Sequence, residues 1–271
     1  NIVAIDLSGL GDSNKLSSID NAEFGFMNTA SVNSLTTALV GGLSTAQLVA
    51  LSETNIVGLQ IRGVTSANIY AIDTADVAKF TTGQLSLIDV AGLTSYQISA
   101  IAPAAAPYLT NSFINSLSSA QTQGLVSSQI NQLVAAQVSQ FTDTNVQGLA
   151  VGSLVVTNVD ELTTAAISSL LSTQVASLST IQVDSLRTRA NGGLLYLTTA
   201  NVSGLDLRGL TGAVIADSTV FNTSKVAAFS SSQVDLLTTA QIGNLTPDQL
   251  RALNTTNIAG LDANGLIASY V

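Results

Sequence analysis

Few residues in this chain could do chemistry. Among its 271 residues there is no His and no Cys, so the side chain that titrates nearest neutrality and the best thiol nucleophile are both missing. Ser is abundant, but no G-x-S-x-G elbow occurs and no imidazole exists to activate a hydroxyl. A Ser–Lys pair is formally open to Lys15, Lys79 and Lys225, yet each sits in an ordinary stretch and reads as a solvated surface charge. Asp160–Glu161 is the only adjacent pair of acids and reads as a charged turn, with a glycosidase-like or metal role as the alternative. Asp20 with Glu23 is the next closest set on the amino-terminal side. Asp206 and Asp262 recur in one phrase and read as turn-stabilising side chains, calcium being the other reading. Gly41–Gly42 and Gly192–Gly193 lack the G-K-[ST] that a phosphate cradle needs. Tyr70, Tyr96, Tyr108, Tyr196 and Tyr270 form no regular ladder and read as core or rim packing. Sequons at Asn201, Asn222, Asn244 and Asn254 are expected by chance in a chain so rich in Ser, Thr and Asn. The expectation is no catalytic, cofactor-binding or metal-ligating residue, and no enzyme.

What organises the chain is a repeat. From Ser230 to Asp262 it reads SSSQVDLL, TTAQIGNL, TPDQLRALN, TTNIAGLD. Each unit opens on Ser or Thr and carries Gln or Asn three residues on. An aliphatic residue follows at position five, and Leu closes position eight. The same octad runs plainly from Ser44, blurred only over residues 1–43. Breaks or loops are expected near 102–109 (bracketed by Pro103 and Pro107), 150–162, 187–197 and 211–221. One array over 1–271 is the expected organisation. A slower rhythm, IDLSGL (5–10), LQIRGV (59–64), IDVAGL (88–93), LAVGSL (149–154), LDLRGL (205–210) and LDANGL (261–266), alternates apolar and polar residues like a short strand.

The octad has two readings. Residues three apart share a helix face, whereas in a strand they point to opposite sides. Ser or Thr followed by Gln three residues later is a capping box. Eight residues at about 100° each would displace the apolar stripe by about 80° per unit, so one long helix cannot bury it. The spacing therefore predicts a solenoid, mainly α, with one short capped helix about every eight residues and minor strand-like segments. The rival is a β-solenoid, favoured by the Thr, Val and Ile content.

Composition narrows the function classes. Charged residues are 9% and hydrophobic ones 46%, too apolar for a disordered chain. The net charge of −9, with only eight Lys and Arg, argues against nucleic acid. No apolar run reaches the roughly 18–20 residues of a membrane helix. Neither a basic n-region nor an h-region precedes the array, and the segment reads as a piece of something longer.

At LTTAQIGNLTPDQLRALNTTNIAGL (237–261) the chain resembles the Ser/Thr/Ala-rich arrays of very large bacterial surface and secreted proteins, of the adhesin, hemolysin-like repeat, S-layer or filament type. The resemblance covers nearly the whole chain through its octads, and no functional residue carries over. It implies an extracellular or cell-surface structural role, with copies of itself as partners. The second expectation is a solenoid module that binds surface glycans or ice through rows of Thr such as Thr198–Thr199 and Thr238–Thr239.

Overall fold

The structure is a computed structural model that describes residues 6–11, 13–190 and 192–261. Among the described residues the chain is mainly helical and contains no strand. Its helices are short, none longer than the nine residues of Thr180–Thr188, and regularly spaced, consistent with a repeat solenoid. The β reading is not supported. By contact the chain divides into two compact units, Asn1–Gln140 and Phe141–Val271.

Each helix is short because its cap restarts the backbone. At Thr94 the hydroxyl accepts from the Gln97 amide at 3.2 Å, and Gln97 Oε1 accepts from the Thr94 amide at 2.9 Å. This reciprocal pair satisfies two of the donors that a helix start leaves over. It closes also at Ser44, Thr81, Ser118, Ser230, Thr238 and Thr246. Val126, Val134 and Leu171 have no hydroxyl, so only the Gln half forms there, at 2.8 Å in each case. Position eight then leaves the helical region. Leu245, at φ −57° and ψ 135°, returns its amide to Ile242 O, and the extended Thr246 opens the next unit. Positions five and eight face inward: Ile98, Ile101, Ile130, Leu133, Ile242 and Leu245 are all buried.

The Gln of position four joins one turn of the coil to the next. In the first unit Gln97 Nε2 donates to Ile69 O and Ile72 O at 2.9 and 2.6 Å, and Gln129 Nε2 to Ile98 O and Ile101 O at 2.8 and 2.6 Å. In the second unit Gln233 Nε2 reaches Val202 O and Leu205 O at 2.9 and 2.8 Å. The acceptors here are the carbonyls of positions five and eight, with position six sharing the donor at Gln129, Asn201 and Asn257. For position five the separation is 28 residues at Gln97 and 31 at Gln129. Each is one residue short of a full turn, which therefore holds four units: three octads with one five-residue unit, four octads, or, where the separation is 34 as at Asn201 and Gln241, three octads with one eleven-residue unit.

Those five-residue units are the phrases expected as strand-like, and the expectation is corrected here. Ile61–Gly63, Val90–Gly92 and Val151–Ser153 are 3-10 turns, and 207–210 is a hydrogen-bonded turn. Their alternation comes from a truncated octad that keeps positions four to eight. Val90 and Leu93, or Leu207 and Leu210, repeat the three-residue apolar spacing and are buried. The leading Asp folds back on its own turn: Asp89 Oδ1 accepts from the Ala91 amide at 3.0 Å. The phrase at 261–266 lies outside the described residues from 262 onward.

Position four also selects the kind of helix. With Asn55, Asn68, Asn145, Asn201 and Asn257 the turn is 3-10, as in Ile56–Gly58 and Val202–Gly204. Asn is one methylene shorter than Gln, so the backbone is drawn inward before Asn55 Nδ2 can reach Phe24 O and Met27 O at 3.0 and 3.1 Å. Asn158 is the exception, keeping the α turn Val156–Val159. Position seven is Gly in four of these five 3-10 units, with Ala71 in the Asn68 unit, and it is also Gly in the Gln121 unit, where a Cβ on Gly124 would overlap Ser95 O. A Cβ on Gly204 would overlap Ser172 O, and one on Gly260 would overlap Ser231 O, each the carbonyl of a second-position residue on another turn.

The stretch expected as a loop near 102–109 carries the same construction. Pro103–Tyr108 is a 3-10 helix with Pro at its first position, and Ala106 O and Leu109 O accept from Gln137 at 2.8 and 2.6 Å. In the blurred opening, Asp20 caps Asn21–Phe26 and Asn28 caps Thr29–Asn33.

Candidate functional site

Most of the residues singled out for chemistry have structural partners. Asp20 Oδ1 accepts from the Ala22 amide at 3.0 Å, with Glu23 on the same turn. Asp160 Oδ2 accepts the Ser185 hydroxyl at 2.8 Å, while Glu161 is exposed. Asn201 is fully buried, its Nδ2 donating to Ile167 O and Leu170 O at 3.1 Å each, so the folded chain cannot take a glycan there. Asn244 and Asn254 commit their Nδ2 to Ala240 O and Ala227 O, and Asn222 caps Thr223–Ala227. Gly192 takes the one left-handed conformation among the described residues, φ 61°, ahead of Gly193–Tyr196. Tyr70, Tyr96 and Tyr108 are exposed, Tyr196 is half-buried, and Tyr270 lies outside the described residues.

The three lysines separate. Lys15 is exposed. Lys79 pairs with Glu53 at 3.1 Å. Lys225 is not a solvated surface charge: it is buried, and its Nζ donates to Leu195 O and Val220 O at 2.8 Å each. It stands at position four, where other units have Gln, and an ammonium donates to two carbonyls as an amide does. Burial pushes its pKa down.

Asp76 is the opposite substitution at that register. It follows Asp73 by three residues, opens onto Val77, and is 1% exposed. Its Oδ2 is buried with no hydrogen-bond partner. A carboxylate has only acceptors, so it cannot do what Gln Nε2 does. The octad alignment marks both residues, because position four of each unit faces the neighbouring turn.

The second unit has a shallow groove of about 430 Å³ lined by Thr180, Ser203, Ser232, Leu236, Asp206 and Arg208. Arg208 donates Nε to Asp206 Oδ1 at 3.0 Å and Nη2 to Oδ2 at 2.9 Å, and its amide also reaches Oδ1 at 3.0 Å. The guanidinium holds the Asp206 carboxyl below the usual carboxylate range. The arrangement is a fixed ion pair among hydroxyls, suited to binding a polyhydroxylated ligand. Asp262 lies outside the described residues. No three acidic side chains gather closely enough among the described residues to hold a metal ion.

Compared with known proteins, the chain matches no family model and no curated relative. No helix among the described residues is long and apolar enough to cross a membrane.

Proposed function

We propose that this chain is a structural protein: a helical repeat solenoid that associates with copies of itself in a cell-surface filament, sheath, surface layer or adhesin stalk. The observation that carries the reading is the chemical identity of successive coil faces. Each turn presents carbonyls at positions five and eight to the position-four amide of another turn, as at Gln97, Gln129 and Gln233. A face that fits the next turn of its own chain also fits the opposite, complementary face of a second copy, and such heterologous stacking extends without closing. The uncharged Ser, Thr, Asn and Gln surface opposes that approach little. The same surface, with no Cys to oxidise, suits an extracellular setting. No catalytic role is part of the reading.

The groove at Asp206 and Arg208 favours a second reading, a glycan-binding module. Its ice-binding variant needs a flat Thr rank on a β coil, and the described residues have no strand. Capping also engages the first Thr of a pair, Thr238 Oγ1 lying 3.1 Å from Gln241 Oε1.

Sedimentation velocity over a hundredfold concentration range, with negative-stain imaging of the top sample, tests the first reading. Growing end-to-end particles are expected. A species that stays monomeric throughout, together with selective binding on a glycan array, would replace it with the second.

A further inference from the structure

Position four is where one coil turn meets another, and among its buried polar occupants Asp76 alone brings no donor. The turn spacing places it. Gln84 donates to Ile56 O and Leu59 O, 28 and 25 residues earlier, and Gln97 donates to Ile69 O and Ile72 O at the same two separations. Asp76 stands one octad before Gln84, at the same position of its unit, and the same two separations set it toward the carbonyls of Leu48 and Leu51. The Lys79–Glu53 pair fixes the stacking independently, since it joins position seven of the Asp76 unit to position two of the unit after Leu51. This is the offset by which Gly58 meets Thr29 and Gly124 meets Ser95. By that register the Asp76 carboxyl is turned toward the carbonyl row of the adjoining turn, and its Oδ2 is buried with no hydrogen-bond partner.

We propose that the Asp76 carboxyl is a proton-operated lock between two coil turns of the first unit. Protonated, it donates one O–H to the carbonyl row of the adjoining turn, standing in for the Gln amide. Ionised, it places a buried negative charge against that row, and the turn separates around Thr74–Val77. The charged groups around it point the same way. Asp73 caps the same turn through its Oδ1 at 2.8 Å from the Asp76 amide, and Glu53 approaches from the adjoining turn with Lys79 bound to it. Neither Thr45–Val49 nor Ser95–Ala100, the elements of the turns on either side, carries an acid or a basic side chain. Burial, with Asp73 and then Glu53 adding to it, pushes the Asp76 carboxyl up to about 7. Because the folded value lies above the unfolded 3.8, the stability tied to this group is complete below about pH 4 and is lost as pH rises through 7.

The test is thermal unfolding of the full chain and of Asp76→Gln and Asp76→Asn between pH 4 and pH 9. At pH 4 the three melt together. At pH 8 both variants melt about 5 °C or more above the parent, the amide restoring a donor that no longer depends on pH. Variants that track the parent at every pH overturn the proposal. So does a parent stabilised at pH 8 by added calcium or sodium chloride where the variants are not, because the site would then hold a metal cation. Should the variants fail to fold, carboxyl-carbon titration of the parent decides: ionisation of Asp76 near pH 4 overturns the lock, and ionisation near 7 supports it.

Discussion

Gln129→Glu is expected to cost about 4 kcal/mol of unfolding free energy at pH 8, and much less at pH 4. Gln129 is buried with its Nε2 between Ile98 O and Ile101 O at 2.8 and 2.6 Å, while Oε1 accepts the Val126 amide at 2.8 Å. The glutamate keeps the acceptor and the length but turns the donor into a second acceptor facing two carbonyls. A buried charge left without a donor costs several kcal/mol, and protonation removes most of that. Gln129→Ala serves as the comparison. It takes the donor from Ile101 O and the acceptor from the Val126 amide at all pH values, while Ile98 O keeps the Ile101 amide, and is expected to cost about 3 kcal/mol with little pH dependence. Urea unfolding at the two pH values reads both. A Gln129→Glu protein as stable as the parent at pH 8 would mean that position four does not join the turns.

Gly204→Ala should destabilise by about 3 kcal/mol, against expectation for a substitution that usually favours helix. Gly204 ends the 3-10 turn Val202–Gly204, and a Cβ there would overlap Ser172 O and crowd the Ala176 amide. The obstruction is backbone, so no rotamer change relieves it. Gly83→Ala is the internal control. Its Cβ would meet nothing closer than the Thr81 hydroxyl at 3.8 Å, and a neutral or slightly stabilising effect is expected. Melting midpoints of the two variants give the contrast. Equal midpoints would show that position seven is not pressed against another turn.

Much of this architecture was legible in the chain itself. The Ser/Thr-to-Gln spacing gave the caps, and the apolar residues three apart gave the buried side, because both depend on contacts within four residues. The strand-like phrases misled because alternation over five residues looks the same in a strand and in a truncated octad: Leu207 and Leu210 share a side only once the turn is known. The partners of position four were out of reach for a different reason. Gln129 and Ile98 lie 31 residues apart, and nothing local says how many units make a turn. Lys225 and Asp76 were hidden by the same gap, since a charge in a polar stretch reads as solvated until the neighbouring turn is placed over it. Asp206 reads in the sequence as a turn residue with calcium as the other reading, and the groove beside Arg208 is assembled from separate turns that no spacing in the sequence brings together.

The most direct measurement is side-chain amide hydrogen exchange by NMR, resolved for individual glutamines. Gln97, Gln129 and Gln137 bury their Nε2 against carbonyls of another turn, while Gln123 and Gln132 are exposed on the same unit. Slowed exchange of the first three by a hundredfold or more over the other two is the predicted result. Equal, fast exchange of all five would contradict the amide link between turns, and the stacked coil with it.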